Sequence, residues 1–180
     1  MARLLSMASA HVILVAEDND DDFVLLRCAF ESAGLPHRLI GVGNGVDAVD
    51  YLYAEVPYTN RSAYPFPDLL LLDLHMPVMD GFEVLAALKG RSQFRCLPIV
   101  VLSSVDDPLF IQEALKLGAT DFLIKSISMA DRVEMAQGLH SRWLKGEKRA
   151  AGSWRNFNTW SFPQSTLDVS KPKNQQVYRA

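Results

Sequence analysis

Apolar residues along this chain come in short unbroken runs that alternate with stretches of helical period. His11-Val-Ile-Leu-Val-Ala, Leu69-Leu-Leu-Leu and Ile99-Val-Val-Leu are apolar almost throughout, the pattern of strands covered on both faces of a parallel sheet. His37 to Val42 and Thr120 to Ile124 bring the expected strands to five. Between them, Phe23, Leu26 and Phe30 predict a helix capped by Asp20 and ended by Gly34. Val46, Val49 and Leu52 predict a short second helix, and Phe82, Leu85 and Leu88 a third, closed by Gly90. A fourth runs from Pro108 to Gly118 on Phe110, Ile111, Ala114 and Leu115, and a last one from Ser128 to Lys145 on Met129, Val133, Ala136 and Trp143. Ala54 to Pro67 interrupts the alternation with a Tyr- and Pro-rich loop, longer than an ordinary helix-to-strand connection.

Five strands alternating with five helices predict an α/β fold, a doubly wound parallel sheet flanked by helices. Right-handed crossovers then bring every strand's carboxyl end to one edge, where open α/β sheets bind ligands. A chain of 180 residues, 49% hydrophobic, suffices for one core and falls short of two ordinary ones. That core is expected over residues 11–145, preceded by a flexible leader at 1–10 and followed by an aperiodic tail at 146–180 with no separate output domain.

Charge sharpens the division. Eleven basic and nineteen acidic residues up to Leu144 give net −8, against seven basic and two acidic from Lys145 onward, net +5. An acidic body argues against nucleic-acid binding. No run reaches the roughly eighteen apolar residues of a membrane span, and residues 1–10 are too poor in apolar length for a secretory signal, so a cytoplasmic location is expected. Cys28 and Cys96 lack metal-ligand spacing and are expected as buried, reduced thiols.

The strand ends carry the chemistry. Glu17 and Asp18 follow the first strand, Asp73 ends the third, Ser103 the fourth, and Lys125 follows the fifth. Three crowded carboxylates raise one another's pKa unless a cation joins them, and Mg²⁺ suits such a set of oxygens. A lysine and a hydroxyl beside them complement a phosphoryl group carried on Asp73. Asp20, Asp21 and Asp22 lack the glycine and distal Glu of a calcium loop and read as helix-start charges facing the dipole.

These residues resemble the receiver domain of two-component response regulators over about Val12 to Leu144: the pair Glu17-Asp18, Asp73 followed by Met76-Pro-Val-Met-Asp-Gly81, Ser103 with its neighbour Ser104, and Lys125. The resemblance implies the flavodoxin-like receiver fold with strand order 2-1-3-4-5. It also implies a stand-alone regulator, not an enzyme, that takes a phosphoryl group on Asp73 from a phosphohistidine of a sensor histidine kinase. Glu17, Asp18, Asp73 and the His75 backbone carbonyl would hold Mg²⁺. Lys125, Ser103 and Ser104 would receive the phosphoryl oxygens, and Phe122 would be the switch aromatic. The Tyr- and Pro-rich loop is similar to that of the small regulators paired with bacterial phytochromes, which implies a bacteriophytochrome kinase. Output would pass through protein contacts, homodimerisation by the last helix among them, without nucleic acid or membrane.

Ser126 departs from the family, which usually has a proline after the lysine. Either the Lys125–Ser126 bond is trans and Lys125 is aimed differently, or it is cis at a cost of roughly 3 kcal/mol. The rival class is a Mg²⁺-dependent phosphatase or phosphotransferase with Asp73 as nucleophile. Such enzymes usually carry a second acid where this chain has His75. A flavin module is weaker still, because the acidic run Glu17 to Asp22 would repel a phosphate.

Overall fold

The computed structural model describes residues 10–145; nearly all of the expected leader and the whole of the 146–180 tail lie outside them. The described residues form five parallel strands, β1 Val12–Ala16, β2 Arg38–Val42, β3 Leu69–Asp73, β4 Ile99–Ser103 and β5 Asp121–Ile124, in the order β2-β1-β3-β4-β5. Helices α1 Asp20–Ser32, α2 Gly45–Tyr53, α3 Gly81–Leu88, α4 Pro108–Leu117 and α5 Met129–Leu139 alternate with them, and a π-helical turn, His140–Leu144, extends α5. The expected doubly wound sheet is therefore the observed one. No described helix is long and apolar enough to cross a membrane.

The strand pleat divides the apolar runs between two cores. Leu14, Ala16, Leu70, Leu72 and Val101 pack with α2, α3 and α4, while Ile13, Val15, Leu69, Leu71 and Val100 pack with α1 and α5. Leu69 to Leu72 are fully buried, each contributing about 2 kcal/mol of transfer free energy. This dry wall is what makes the acid at its end conspicuous.

Several local expectations are corrected. Asn19, not Asp20, caps α1: its side chain accepts from the N–H groups of Asp21 and Asp22, leaving Asp20 as the first helical residue beside the dipole. Val46, Leu115 and Met129 point outward, at 39%, 47% and 38% exposure. In α2 the inward stripe is Gly45, Ala48, Tyr51 and Leu52, in α4 Ala114 is the buried residue, and Met129 is the first residue of α5. Cys96 is exposed and Cys28 half-buried, and both are free thiols.

The long loop is packed rather than loose. The rings of Tyr51, Tyr58 and Tyr64 lie 5.1 to 6.0 Å apart, and the Tyr51 hydroxyl donates to the Pro65 carbonyl at 2.7 Å. Arg61 donates to the carbonyls of Tyr51 and Leu52 at 2.8 Å, which satisfies the open end of α2.

Two positions give stability predictions. A Cβ on Gly81 would lie 2.3 Å from the Asp73 carbonyl oxygen and 2.8 Å from Leu74 Cα, so α3 can begin against the end of β3 only with glycine there. Gly81→Ala is expected to lower the unfolding free energy by roughly 3 kcal/mol, because backbone must move. Urea denaturation checks this, and a loss below about 0.5 kcal/mol would show that the turn yields freely.

The second lies at the opposite edge of the sheet. The His11 N–H donates to His37 Nδ1 at 3.3 Å, which leaves the His37 proton on Nε2, where it meets His140 Nδ1 at 2.9 Å. Protonating either acceptor would set two donors against each other. Burial, then the neighbouring His140 and His11, push His37 down to about 4 from 6.5, and burial lowers His140 as well. A histidine depressed in the folded state binds its proton first in the unfolded chain. Stability is therefore full above about pH 6.5 and falls as pH drops from 6.5 toward 4. With solvent screening the loss is about 1 to 2 kcal/mol. Urea midpoints across that window should show a steeper fall for the unaltered chain than for His37→Gln.

Candidate phosphoryl-acceptor site

The carboxyl edge of the sheet collects the charged residues. β1 ends at Ala16, and Glu17 continues its line, donating its N–H to the Val42 carbonyl at 2.9 Å. Asp73 stands opposite Leu102, and Ser103 opposite Ile124. Strand register alone therefore sets the first acids, Asp73, Ser103 and Lys125 side by side.

Asp73 is 7% exposed and Glu17 9%, while Asp18 is exposed. One oxygen from each of these three carboxylates lies within 4.8 Å of the others. Burial, partly opposed by Lys125, raises the Glu17 pKa, and the Asp73 charge adds to the rise. A mutually repelling set of hard oxygens, two of its three carboxylates buried, fits a divalent cation such as Mg²⁺.

Lys125 is the group's fixed cation. Its Nζ lies 2.6 Å from Asp73 Oδ2, 2.6 Å from Glu17 Oε2 and 3.3 Å from Asp22 Oδ2. Burial favours the neutral amine, but the carboxylates of Asp73 and Glu17 outweigh it and hold the pKa above the ordinary lysine value. The Lys125–Ser126 bond is not cis; among the described residues the cis bond is Val56–Pro57. The Ser126 hydroxyl donates to Asp131 at 2.8 Å and accepts from the Ser128 N–H at 3.2 Å. The trans bond does not misdirect Lys125, because side-chain contacts aim the ammonium at Asp73.

The remaining residues frame this group. The His75 N–H donates to Asp73 Oδ1 at 3.1 Å, while its ring is exposed and stacks on Phe110 at 5.9 Å. His75 lines an open groove of about 610 Å³ with Leu74, Met76, Asp80, Phe82 and Phe110. Ser103 is fully buried, its hydroxyl oxygen accepting from the Val105 N–H at 3.1 Å. Ser104 beside it is exposed, and Phe122 is buried among α2, α3 and α4. Asp80 and Glu83 form a capping box on α3, and Gly81 closes the turn after Asp73 by donating its N–H to the Leu74 carbonyl at 3.0 Å.

Two members of the cluster escape a reading of the sequence by motif. Asp22 bonds both Lys125 and Arg132, and Arg132, 8% exposed, returns to it from α5. The signal lies in the helical period: Asp22 lines up with Leu26, Ala29 and Phe30, and Arg132 with Ala136 and Leu139. A charge on an inward stripe calls for a partner.

The family model of the response regulator receiver domain matches residues 13–137. Response regulator Rcp1 of Synechocystis sp. is 34% identical over 134 residues, which is 74% of this chain and 89% of that protein. The crystal structure of a phosphorylated cyanobacterial phytochrome response regulator, RcpA, is 32% identical with a TM-score of 0.69, covering 76% of this chain and 96% of that one. A response regulator in red light signalling of R. palustris, RPA3017, is 33% identical with a TM-score of 0.72, covering 75% and 94%.

Proposed function

Because this chain belongs to the response regulator receiver family, we propose that it is a phosphorylated switch in which Asp73 takes a phosphoryl group from a sensor histidine kinase. One observation carries the reading: at the carboxyl edge, Lys125 Nζ reaches Asp73 at 2.6 Å while Glu17, Asp18 and Asp73 gather oxygens within 4.8 Å. In the transfer, an Asp73 carboxylate oxygen bonds to phosphorus as the donor's P–N bond breaks. The bonding pair stays with the donor imidazole, which recovers a proton. Later attack of water on phosphorus returns Asp73 and releases inorganic phosphate.

Each residue then has a task. Glu17, Asp18, Asp73 and the His75 carbonyl would hold Mg²⁺, which when bound offsets the repulsion between these carboxylates and phosphoryl oxygens. Lys125 exchanges its bond to Asp73 for one to a phosphoryl oxygen. The Ser103 hydroxyl, now accepting from Val105, turns toward the phosphoryl group with Ser104 beside it, and Phe122 repacks in the space that opens. His75, exposed and stacked on Phe110, supplies no second acid, which favours a phosphoacceptor over a phosphatase.

Two of the similar structures are a cyanobacterial phytochrome response regulator and a response regulator in red light signalling, and a bacteriophytochrome is accordingly the kinase class we favour. Output passes through protein contacts in the cytoplasm, dimerisation through α5 among them, without nucleic acid or membrane. Acetyl phosphate tests the acceptor directly. With Mg²⁺ it should add one phosphoryl equivalent per chain by intact mass, as the P–O bond breaks and acetate leaves. Equal labelling in EDTA would overturn the reading.

A further inference from the structure

Two charges on inward stripes meet behind the acceptor. Arg132 Nη2 donates to Asp22 Oδ1 at 2.9 Å, and Lys125 Nζ approaches Asp22 Oδ2 at 3.3 Å. The two oxygens of one carboxylate are thus divided between α5 and Lys125. Arg132 Nε has no hydrogen-bond partner among the described residues, so the bond to Asp22 is the one that compensates its buried charge. Burial opposes ionisation of Asp22, but the Arg132 hydrogen bond and the Lys125 charge outweigh it and hold the carboxyl below the usual range.

The chain between the two cations is tied at both ends. Ser126 bonds Asp131 and Ser128, Ser128 caps α5 through the Asp131 N–H, and Arg132 follows one residue later. Ser126 has no ring to fix φ as a proline would, and the Lys125 ammonium is held by its contacts with Glu17, Asp22 and Asp73. Two of its three carboxylates, Glu17 and Asp73, belong to the trio suited to a cation, and Asp22 does not. Asp22 is therefore the partner that Lys125 can keep when a cation draws on the other two.

We propose that Asp22 and Arg132 are positioning residues for phosphoryl transfer: Arg132 fixes Asp22, and Asp22 keeps the Lys125 ammonium beside Asp73 when Glu17 and Asp73 turn to a cation. The inference rests on Asp73 being the acceptor. It differs from a purely structural role, in which the Asp22 and Arg132 pair only ties α1 to α5.

The test uses the full chain with Asp22→Asn, Arg132→Met and Arg132→Lys. Asparagine loses the charge and keeps one acceptor oxygen, so its NH2 group faces one of the two cations that Asp22 now holds on separate oxygens. Asp22→Asn should slow labelling by acetyl phosphate roughly tenfold while calorimetric Mg²⁺ affinity stays within about threefold. Arg132→Met should slow it similarly, and Arg132→Lys should recover most of the rate. The decisive readout is the ammonium signal of Lys125 in nitrogen-15 NMR of the Mg²⁺-loaded, unphosphorylated protein. It should be visible in the unaltered chain and lost to fast proton exchange in Asp22→Asn. If Asp22→Asn keeps both the rate and the ammonium signal while Asp73→Asn stays unlabelled, the positioning role falls and the acceptor reading stands. A slower rate with the ammonium signal intact assigns the pair to structure alone and also overturns the proposal. Failure of the unaltered chain to label would remove both.

Discussion

Asp73→Asn protein should stay folded and take up no phosphoryl group under conditions that label the unaltered chain to one equivalent. The amide oxygen is a poor nucleophile, so the rate should fall on the order of a thousandfold or more. Neighbouring acids are poor substitutes. Glu17 is 9% exposed and engaged by Lys125, and Asp18, though exposed, is not among the carboxylates that hold that ammonium. Two opposing effects keep the fold. Asparagine removes the Asp73 charge that helps raise the Glu17 pKa, but it also weakens the pairing of Lys125, which retains Glu17 and Asp22. The net change in unfolding free energy should be within about 1 kcal/mol. Intact-mass labelling and urea denaturation measure the two arms, and labelling of Asp73→Asn at the original rate would move the acceptor elsewhere.

Lys125→Ala should have the second large effect, and its sign depends on the cation. Three carboxylates, Glu17, Asp22 and Asp73, contact the Lys125 ammonium, and the first and last are buried. Without it they repel one another, and among the described residues the remaining cation paired with them is Arg132 on Asp22. In EDTA the variant should lose about 3 kcal/mol of stability. Mg²⁺ should then stabilise the variant more than it stabilises the unaltered chain, because it no longer competes with an ammonium for Glu17 and Asp73. Labelled variant protein should nevertheless lack the conformational change of the labelled original, since no lysine draws the phosphoryl oxygens toward β5. Thermal melts with and without Mg²⁺ test the first half, and amide spectra before and after labelling test the second. Equal melting temperatures in EDTA would mean that Lys125 does not balance the cluster, and an intact spectral change would free the switch from Lys125.

Much of this protein is legible in its amino-acid sequence. Unbroken apolar runs at Leu69 to Leu72 and Ile99 to Leu102 require strands covered on both faces, and the helical stripes between them require a doubly wound sheet. With right-handed crossovers, chain order then delivers Glu17, Asp18, Asp73, Ser103 and Lys125 to one edge. These conclusions rest on period and topology, which are properties of neighbours in sequence. Gly81 is visible in the motif, but its reason, the Asp73 carbonyl where a Cβ would go, belongs to the packed turn.

What escapes the sequence depends on distances between residues far apart in the chain. Asp22 and Lys125 are 103 positions apart, and Asp22 and Arg132 are 110 apart. Neither pairing leaves a local signature beyond a charge on an apolar stripe. The aim of Lys125 is of the same kind. Ser126 alone is compatible with a trans bond that misdirects the side chain, or with a strained cis bond that keeps it in place. The folded chain holds a bond that is not cis and a lysine on Asp73 together, because contacts to Glu17, Asp22 and Asp73 act on the end of a flexible side chain. The type of each group at the sheet edge follows from local pattern, whereas the partner each one takes follows from three-dimensional convergence.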